Sequence, residues 1–337
     1  MADPLFRSDA SRLHDTSAMP EVPERIARIE AIEGLLGARD WCGYEPLDSP
    51  VAADGLLELV HDPAYVSRIE QACATGEALD PETPTVPATM EAARHAAGGA
   101  AAMVDALLGG EAVGASLHRP PGHHAGRASA SGFCLFNNVA IAAAHARAAH
   151  GIERVLVVDW DVHHGNGTEA IFWEDPRVCF VSIHQSPLWP GSGALADAGS
   201  GEGEGLTVNL PVPPGSGNEV WEALVAHVVE PVADAWSPGL VLVSAGFDAH
   251  RADPLAECMV DEAGFAAMAR RIGSTGRRLG VPVGVVLEGG YAVDALAASV
   301  AATLEAVREE PEDEAPAPEP VSRMAAEVLG RPAFSRG

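Results

Sequence analysis

A chain of 337 residues that is 47% hydrophobic and 20% charged can bury a large core as one α/β domain, and it is too apolar for a disordered polymer. Its 21 basic against 48 acidic residues leave a formal net charge of −27, the opposite of what a phosphate-backbone binder needs, so direct nucleic-acid binding is not expected. There is no apolar leader behind a basic start and no run of about 18 apolar residues. The five cysteines (42, 73, 134, 179 and 258) are too scattered for a disulfide framework or a zinc ribbon, so a reducing, cytoplasmic setting without a membrane span is expected.

In chain order, residues 23–36 carry Ile26, Ile29, Ile32 and Leu36 at helical spacing, with Pro23 suited to the first turn. Residues 90–108 are alanine-rich and also predict a helix, and the whole segment up to about Gly110 reads as helices and loops feeding a sheet that begins later. Five short apolar runs then predict strands at 112–117, 154–158, 179–183, 240–244 and 283–287. Helices are expected between and after them at 140–149, 220–236, 262–279 and 295–307, with Pro231 breaking or kinking the second. The alternation predicts an α/β fold with a mostly parallel sheet and helices on both faces. A single catalytic domain over 1–307 would be followed by an acidic, proline-rich linker at 308–320 and a tail at 321–337 with a short helix at 322–329.

Each predicted strand empties into a loop of unusual polarity: LHRPPGHHA, DWDVHHGNGT, IHQSP, AGFDAH and EGGY. In a parallel sheet the carboxyl ends of the strands share one edge, so five such loops imply one pocket. Asp161 and His163 can point to the same side if the chain stays extended through Val162. Asp248 adds a carboxylate from another strand exit. One histidine and two carboxylates suit a catalytic Zn²⁺ with a position left for water, and the same donors accept Fe²⁺, Mn²⁺ or Co²⁺. Alone, D-x-H could equally be a loop cap and a core histidine. With Asp248 beside it, a buried carboxylate cluster needs a cation. His123 and His124 could take a proton from water and return one to an amine, with Asp159 orienting the first imidazole and Asn166 partnering the second. Tyr291, mounted after Gly289 and Gly290, could donate to an oxygen that gains charge.

With these motifs the chain resembles the histone deacetylase superfamily, and within it the bacterial histone-deacetylase-like amidohydrolases and the class II side. The resemblance is carried by MPEVPERI at 19–26, RPPGHHA at 119–125, GFCLFNN at 132–138, DWDVHHGNGT at 159–168, SIHQ at 182–185, SAGFDAH at 244–250 and LEGGY at 287–291. It implies an arginase/deacetylase-type fold, zinc on Asp161, His163 and Asp248, His123, His124, Asp159 and Asn166 at the reacting centre, and Tyr291 as carbonyl polariser. Asn166 stands where class I relatives carry aspartate. Structural potassium is implied in two regions, one around Asp159, Asp161, His163 and Ser182, the other around Phe172, Asp175 and Val178.

The same resemblance implies an acyl-lysine channel walled by Phe133 and Trp189 and shaped by Gly132, Gly289, Gly290 and Leu255. Leu255 stands where polyamine-selective relatives can bear a charged gatekeeper, which favours an acyl-lysine substrate. Asp80 and Glu82 are nearby candidates for an acidic contact to a peptide backbone. The expected activity is hydrolysis of an acylated lysine, peptide or small acylated amine. The alternatives are an acetylpolyamine or small-molecule amidohydrolase and, less favoured, an acyl-lysine-binding protein. A homo-oligomer is compatible with the chain.

Overall fold

Eight strands form one parallel sheet: β1 Pro4–Arg7, β2 Glu45–Asp48, β3 Val113–Ser116, β4 Val155–Asp159, β5 Val178–Gln185, β6 Thr207–Val212, β7 Leu240–Ala245 and β8 Val283–Leu287. Their order across the sheet is β2-β1-β3-β8-β7-β4-β5-β6. The computed structural model describes residues 2–19, 21–311 and 319–334. The helices, in chain order, are α1 Ala27–Ala38, α2 Asp54–Leu57, α3 Pro63–Thr75, α4 Thr89–Leu108, α5 Asn138–His150, α6 Asn166–Phe172, α7 Asn218–Leu224, α8 Glu230–Trp236, α9 Glu262–Leu279, α10 Val293–Ala306 and α11 Glu319–Leu329.

The central strands are apolar throughout because helices cover both faces. Leu156, Val158, Val181 and Val243 pack on one side with Ile29 and Ile32 of α1, Phe265 of α9 and Val300 of α10. Val155, Val157, Phe180 and Leu242 pack on the other with Ile69 of α3, Val104 of α4 and Ile141 of α5. Alternate residues of one strand thus serve two cores, as the two-residue period of a strand requires.

All five expected strands and every expected helix are present, α9 and β8 with the expected bounds and the others with shifted ends, and three strands were not anticipated. The segment before Gly110 is not only helices and loops, since β1 and β2 extend the sheet beyond β3. β2 is an exposed edge strand, and β6 holds Asn209 and Pro211 at the opposite edge, so neither shows a continuous apolar run. The helix expected from Pro23 begins at Ala27 instead. The kink expected at Pro231 is a π-helical turn, Val225–Val229, between α7 and α8, which absorbs the missing proline N–H. The tail helix α11 starts three residues before the expected 322, while most of the acidic linker lies outside the described residues.

The topology decides where a site can form. From β4 the chain moves outward through β5 to β6, then returns to β7 on the other side of β4 and continues to β8. The β4/β7 boundary is therefore a point where successive connections run in opposite directions, and the crevice above it is the natural ligand site of such a sheet. The registers Asp159↔Ser182 and Asp159↔Ser244 set the end of β4 level with Ser182 of β5 and Ser244 of β7 there.

Candidate active site

Asp161 and His163 leave β4, and Asp248 leaves β7, so the proposed donors straddle that crevice. His163 Nδ1 lies 3.1 Å from both Asp161 Oδ1 and Asp248 Oδ2. The route to this convergence differs from the extended alternation expected through Val162. The backbone bends at residues 161–163, and Asp161 Oδ1 accepts from the His163 backbone N–H at 2.9 Å. That local turn, rather than strand geometry, aims both side chains at one point. Asp248 Oδ1 accepts from the Val162 backbone N–H at 2.8 Å, and Asp161 Oδ2 from that of Gly289 at 2.9 Å.

These donors fit a divalent cation. Asp161 and Asp248 are essentially without solvent contact, and burial together with the Asp161 charge pushes the Asp248 carboxyl above the usual carboxylate range. Two buried carboxylates beside one imidazole are poorly balanced without a metal. The backbone leaves room for them: a Cβ on Gly289 would lie 2.3 Å from Asp248 Oδ2 and 2.6 Å from Asp161 Oδ2.

The histidine pair comes from the loop after β3, with ring centroids 3.9 Å apart. His123 Nδ1–H donates to Asp159 Oδ2 at 3.0 Å, and His124 Nδ1–H to Asn166 Oδ1 at 2.8 Å, which leaves both Nε2 atoms for a reacting group. The environments split the pair. Burial opposes charge on His123, but Asp161 and Asp159 outweigh it and hold its pKa well above the usual imidazole value. Burial holds His124 well below that value, helped by His123 and His163. Such a split is the pattern expected of an acid and a base. A cation on Asp161 would reduce that carboxylate's pull on His123.

Above these groups opens a hollow of about 350 Å³ whose lining includes His124, His163 and Tyr291 at its base and Phe133, Leu188, Trp189 and Leu255 on its walls. Trp189, 42% exposed, stands edge-on to His124 with centroids 4.6 Å apart, and Phe133 meets Tyr291 at 5.6 Å. Trp189 is therefore a wall of the hollow and not merely loop packing. Gly132 permits this wall, because a Cβ there would meet His124 at 2.5 Å and Trp189 at 2.6 Å. Burial keeps the Tyr291 phenol protonated far above the usual tyrosine range, as a donor must be. Glu82 reaches the rim, whereas Asp80 uses its carboxylate to accept from the Glu82 backbone N–H.

Of the two regions suggested for potassium, Asp159 at the end of β4 pairs with Ser182 inside β5, and Asp161 and His163 follow β4 directly. Phe172, Asp175 and Val178 lie between α6 and β5, where the Asp175 carboxylate is already taken by Arg147 and Arg177.

Several supporting residues were not singled out from sequence. Buried Glu24 accepts from Arg119 at 2.5 Å and from Arg28 at 2.9 Å. Arg28 in turn donates to the Gly290 carbonyl at 2.6 Å and the Glu288 carbonyl at 2.5 Å, and lies 5.0 Å from the Tyr291 ring centroid. Glu288 accepts from the backbone N–H groups of Gly122 and His123, which ties the histidine loop to β8. Asp253 accepts from the backbone N–H groups of Leu255 and Tyr291, joining one wall of the hollow to its base. The i,i+4 spacing of Glu24 and Arg28 was a signal for that pair; apart from Asp253 and Leu255, the other partners are far apart in sequence.

The family model described as "Histone deacetylase domain" matches residues 19–307. The chain is 38% identical over 276 residues to a histone deacetylase-like amidohydrolase of Pseudomonas aeruginosa, covering 81% of this chain and 71% of that protein. It is 42% identical over 281 residues to the human polyamine deacetylase HDAC10, covering 79% of this chain and 41% of that protein. The crystal structure of the HDA15 HD domain superposes with a TM-score of 0.89 at 35% identity, over 98% of this chain and 93% of that one. With the parallel sheet, the crevice at the β4/β7 boundary and these matches together, the chain belongs to the histone deacetylase family of amide hydrolases.

Proposed function

We propose that the protein is a zinc-dependent hydrolase of acylated amines whose substrate is Nε-acetyl-lysine or a related acyl-lysine. The observation that carries this reading is the apolar hollow that ends on His124, His163 and Tyr291. Its walls suit the four-methylene stem of a lysine, and its base suits the amide. Zinc held by Asp161, His163 and Asp248 would supply a Lewis acid for the carbonyl and lower the pKa of a water. Tyr291 donates from its hydroxyl to the carbonyl oxygen as negative charge develops there. His123, its Nδ1–H fixed by Asp159 and its charged form favoured by Asp161 and Asp159, holds positive charge beside the developing oxyanion. His124, kept neutral by burial and partnered by Asn166 at Nδ1, takes the water proton at Nε2 as the water oxygen bonds the carbonyl carbon, and returns it to the amine nitrogen as the C–N bond breaks. Phe133, Trp189 and Leu255 exclude bulk water from the amide. None of the 337 residues is a lysine, so these residues do not themselves supply the acyl-lysine. Structural potassium in the two regions named above belongs to this proposal, as does a cytoplasmic setting. No helix among the described residues is long and apolar enough to cross a membrane.

A second reading, an acetylpolyamine hydrolase, is favoured by Glu21 and Glu82 at the rim, where they could meet a remote ammonium. Uncharged Leu255 on the wall favours the first. Steady-state hydrolysis of acetyl-lysine peptides, acetylputrescine and acetylspermidine by metal-quantified protein separates them. The expected result is highest kcat/KM on acetyl-lysine. A preference for acetylspermidine would select the second reading, and binding without turnover by zinc-loaded protein would reject both.

A further inference from the structure

Far from the hollow, a second set of ligand-type atoms converges between α4 and α5. Asp105 Oδ1 lies 2.7 Å from His145 Nε2 and 2.7 Å from His150 Nε2. The two imidazoles approach it from different directions, with centroids 5.7 Å apart and planes at 81°. One potential donor atom from each residue lies within 4.8 Å of the other two. Among the described residues no arginine forms an ion pair with Asp105; its ion-pair partners are these two rings.

A hydrogen-bonded cluster would require both rings to carry their proton on Nε2 and both to share one oxygen. A cation requires the same three atoms as lone-pair donors, with neutral rings and their Nδ1–H groups turned outward. Two imidazoles and one carboxylate suit the borderline divalent ions Zn²⁺, Ni²⁺ and Cu²⁺ better than Mg²⁺ or Ca²⁺. The side chains are partly exposed, at 54% for Asp105, 19% for His145 and 29% for His150, so the remaining positions would be filled by water and the ion could exchange.

The cluster is independent of the catalytic groups. At α5's amino end, Asn137 donates from Nδ2 to the Ala125 carbonyl and Asn138 from Nδ2 to the Pro120 carbonyl, so this end anchors the histidine loop. His145 and His150 lie toward the other end of its 13 residues, a helix about 20 Å long at 1.5 Å per residue. We propose that Asp105, His145 and His150 form a second, exchangeable transition-metal site that clamps the carboxyl-terminal parts of α4 and α5.

The test uses the full chain with Zn²⁺ as the probe. Zinc per chain is measured at saturation for the wild type, for His145→Gln/His150→Gln and for Asp105→Asn, and zinc-edge anomalous diffraction maps the bound ions. The wild type is expected to hold one more zinc than either variant, with an anomalous peak between α4 and α5. Added zinc should raise the wild-type Tm more than that of the variants, while acetyl-lysine turnover stays equal in all three. Equal zinc content in wild type and variants, or no peak at Asp105, would overturn the site and leave a hydrogen-bonded cluster only. Asp161→Ala separates this proposal from the catalytic one. It should keep the peak at Asp105 whether or not the catalytic reading holds.

Discussion

The donor set at the sheet edge and the one between α4 and α5 use the same chemistry in opposite surroundings. Asp161 and Asp248 are sealed from water and push on each other, whereas Asp105 is 54% exposed and within hydrogen-bond distance of two imidazoles. Burial makes a cation nearly obligatory in the first case, because the alternative is uncompensated charge in a low dielectric. In the second, solvent screens the carboxylate and the ion is optional. The number of donors alone therefore says little about what a metal does; their burial says more.

The largest effect should come from Asp161→Ala. The buried zinc and acetyl-lysine turnover should disappear together, read by metal analysis and steady-state assay, and full occupancy at the sheet edge would break the contrast. Next is Tyr291→Phe, which should lower kcat by about 10²–10³-fold, the cost of losing one oxyanion donor. Its fold and zinc content should not change, and wild-type kcat would remove Tyr291 from its assigned role. Arg28→Met should reduce unfolding free energy by about 3 kcal/mol, the low end for breaking a buried ion pair, because Glu24 keeps Arg119. Chemical denaturation measures it, and a change below about 0.5 kcal/mol, ordinary for a surface residue, would mean the Glu24 cluster does not brace the site.

Acid should act through the histidines buried in the interior. Burial lowers His14 and His61 to about 4 and His118 and His184 to about 3. These rings stay neutral in the fold while the unfolded chain takes up protons near pH 6.5, so stability should fall as pH drops from about 6.5 toward 4. Urea titrations at several pH values would check the sign, and a flat profile over that window would contradict it. The smallest effect is expected from Asn166→Asp. A carboxylate beside His124 favours the imidazolium, raising its pKa and moving the acid limb of kcat/KM upward by about one pH unit. An unmoved limb would detach His124 from that ionisation.

How much of this could be read from the sequence follows the same division between interior and edge. β4, β5, β7 and β8 were legible because both of their faces are buried and their residues form unbroken apolar runs. β1, β2 and β6 were missed because short or edge strands holding Pro4, Pro46 and Pro211 carry no such run. The catalytic candidates stood out because each sits in a polar loop straight after a strand. Their braces did not: Glu24 meets Arg119 across 95 positions, and Glu288 meets the Gly122 N–H across 166. Only the closed fold brings these together. Even the Asp161–His163 pair converges by a different route, since a turn stabilised by the Asp161 carboxylate replaces the extended backbone that the spacing suggested.

The central claim is that the buried donor set makes this chain an acyl-lysine hydrolase. The most direct measurement is acetate release from an acetyl-lysine peptide by protein titrated with zinc after metal removal. Turnover should rise in proportion to occupancy of the Asp161–His163–Asp248 set and stop rising when that set is full, with no further gain as the Asp105 cluster fills. Zinc-saturated protein that binds the peptide without releasing acetate, or turnover that follows occupancy at Asp105, would contradict the account.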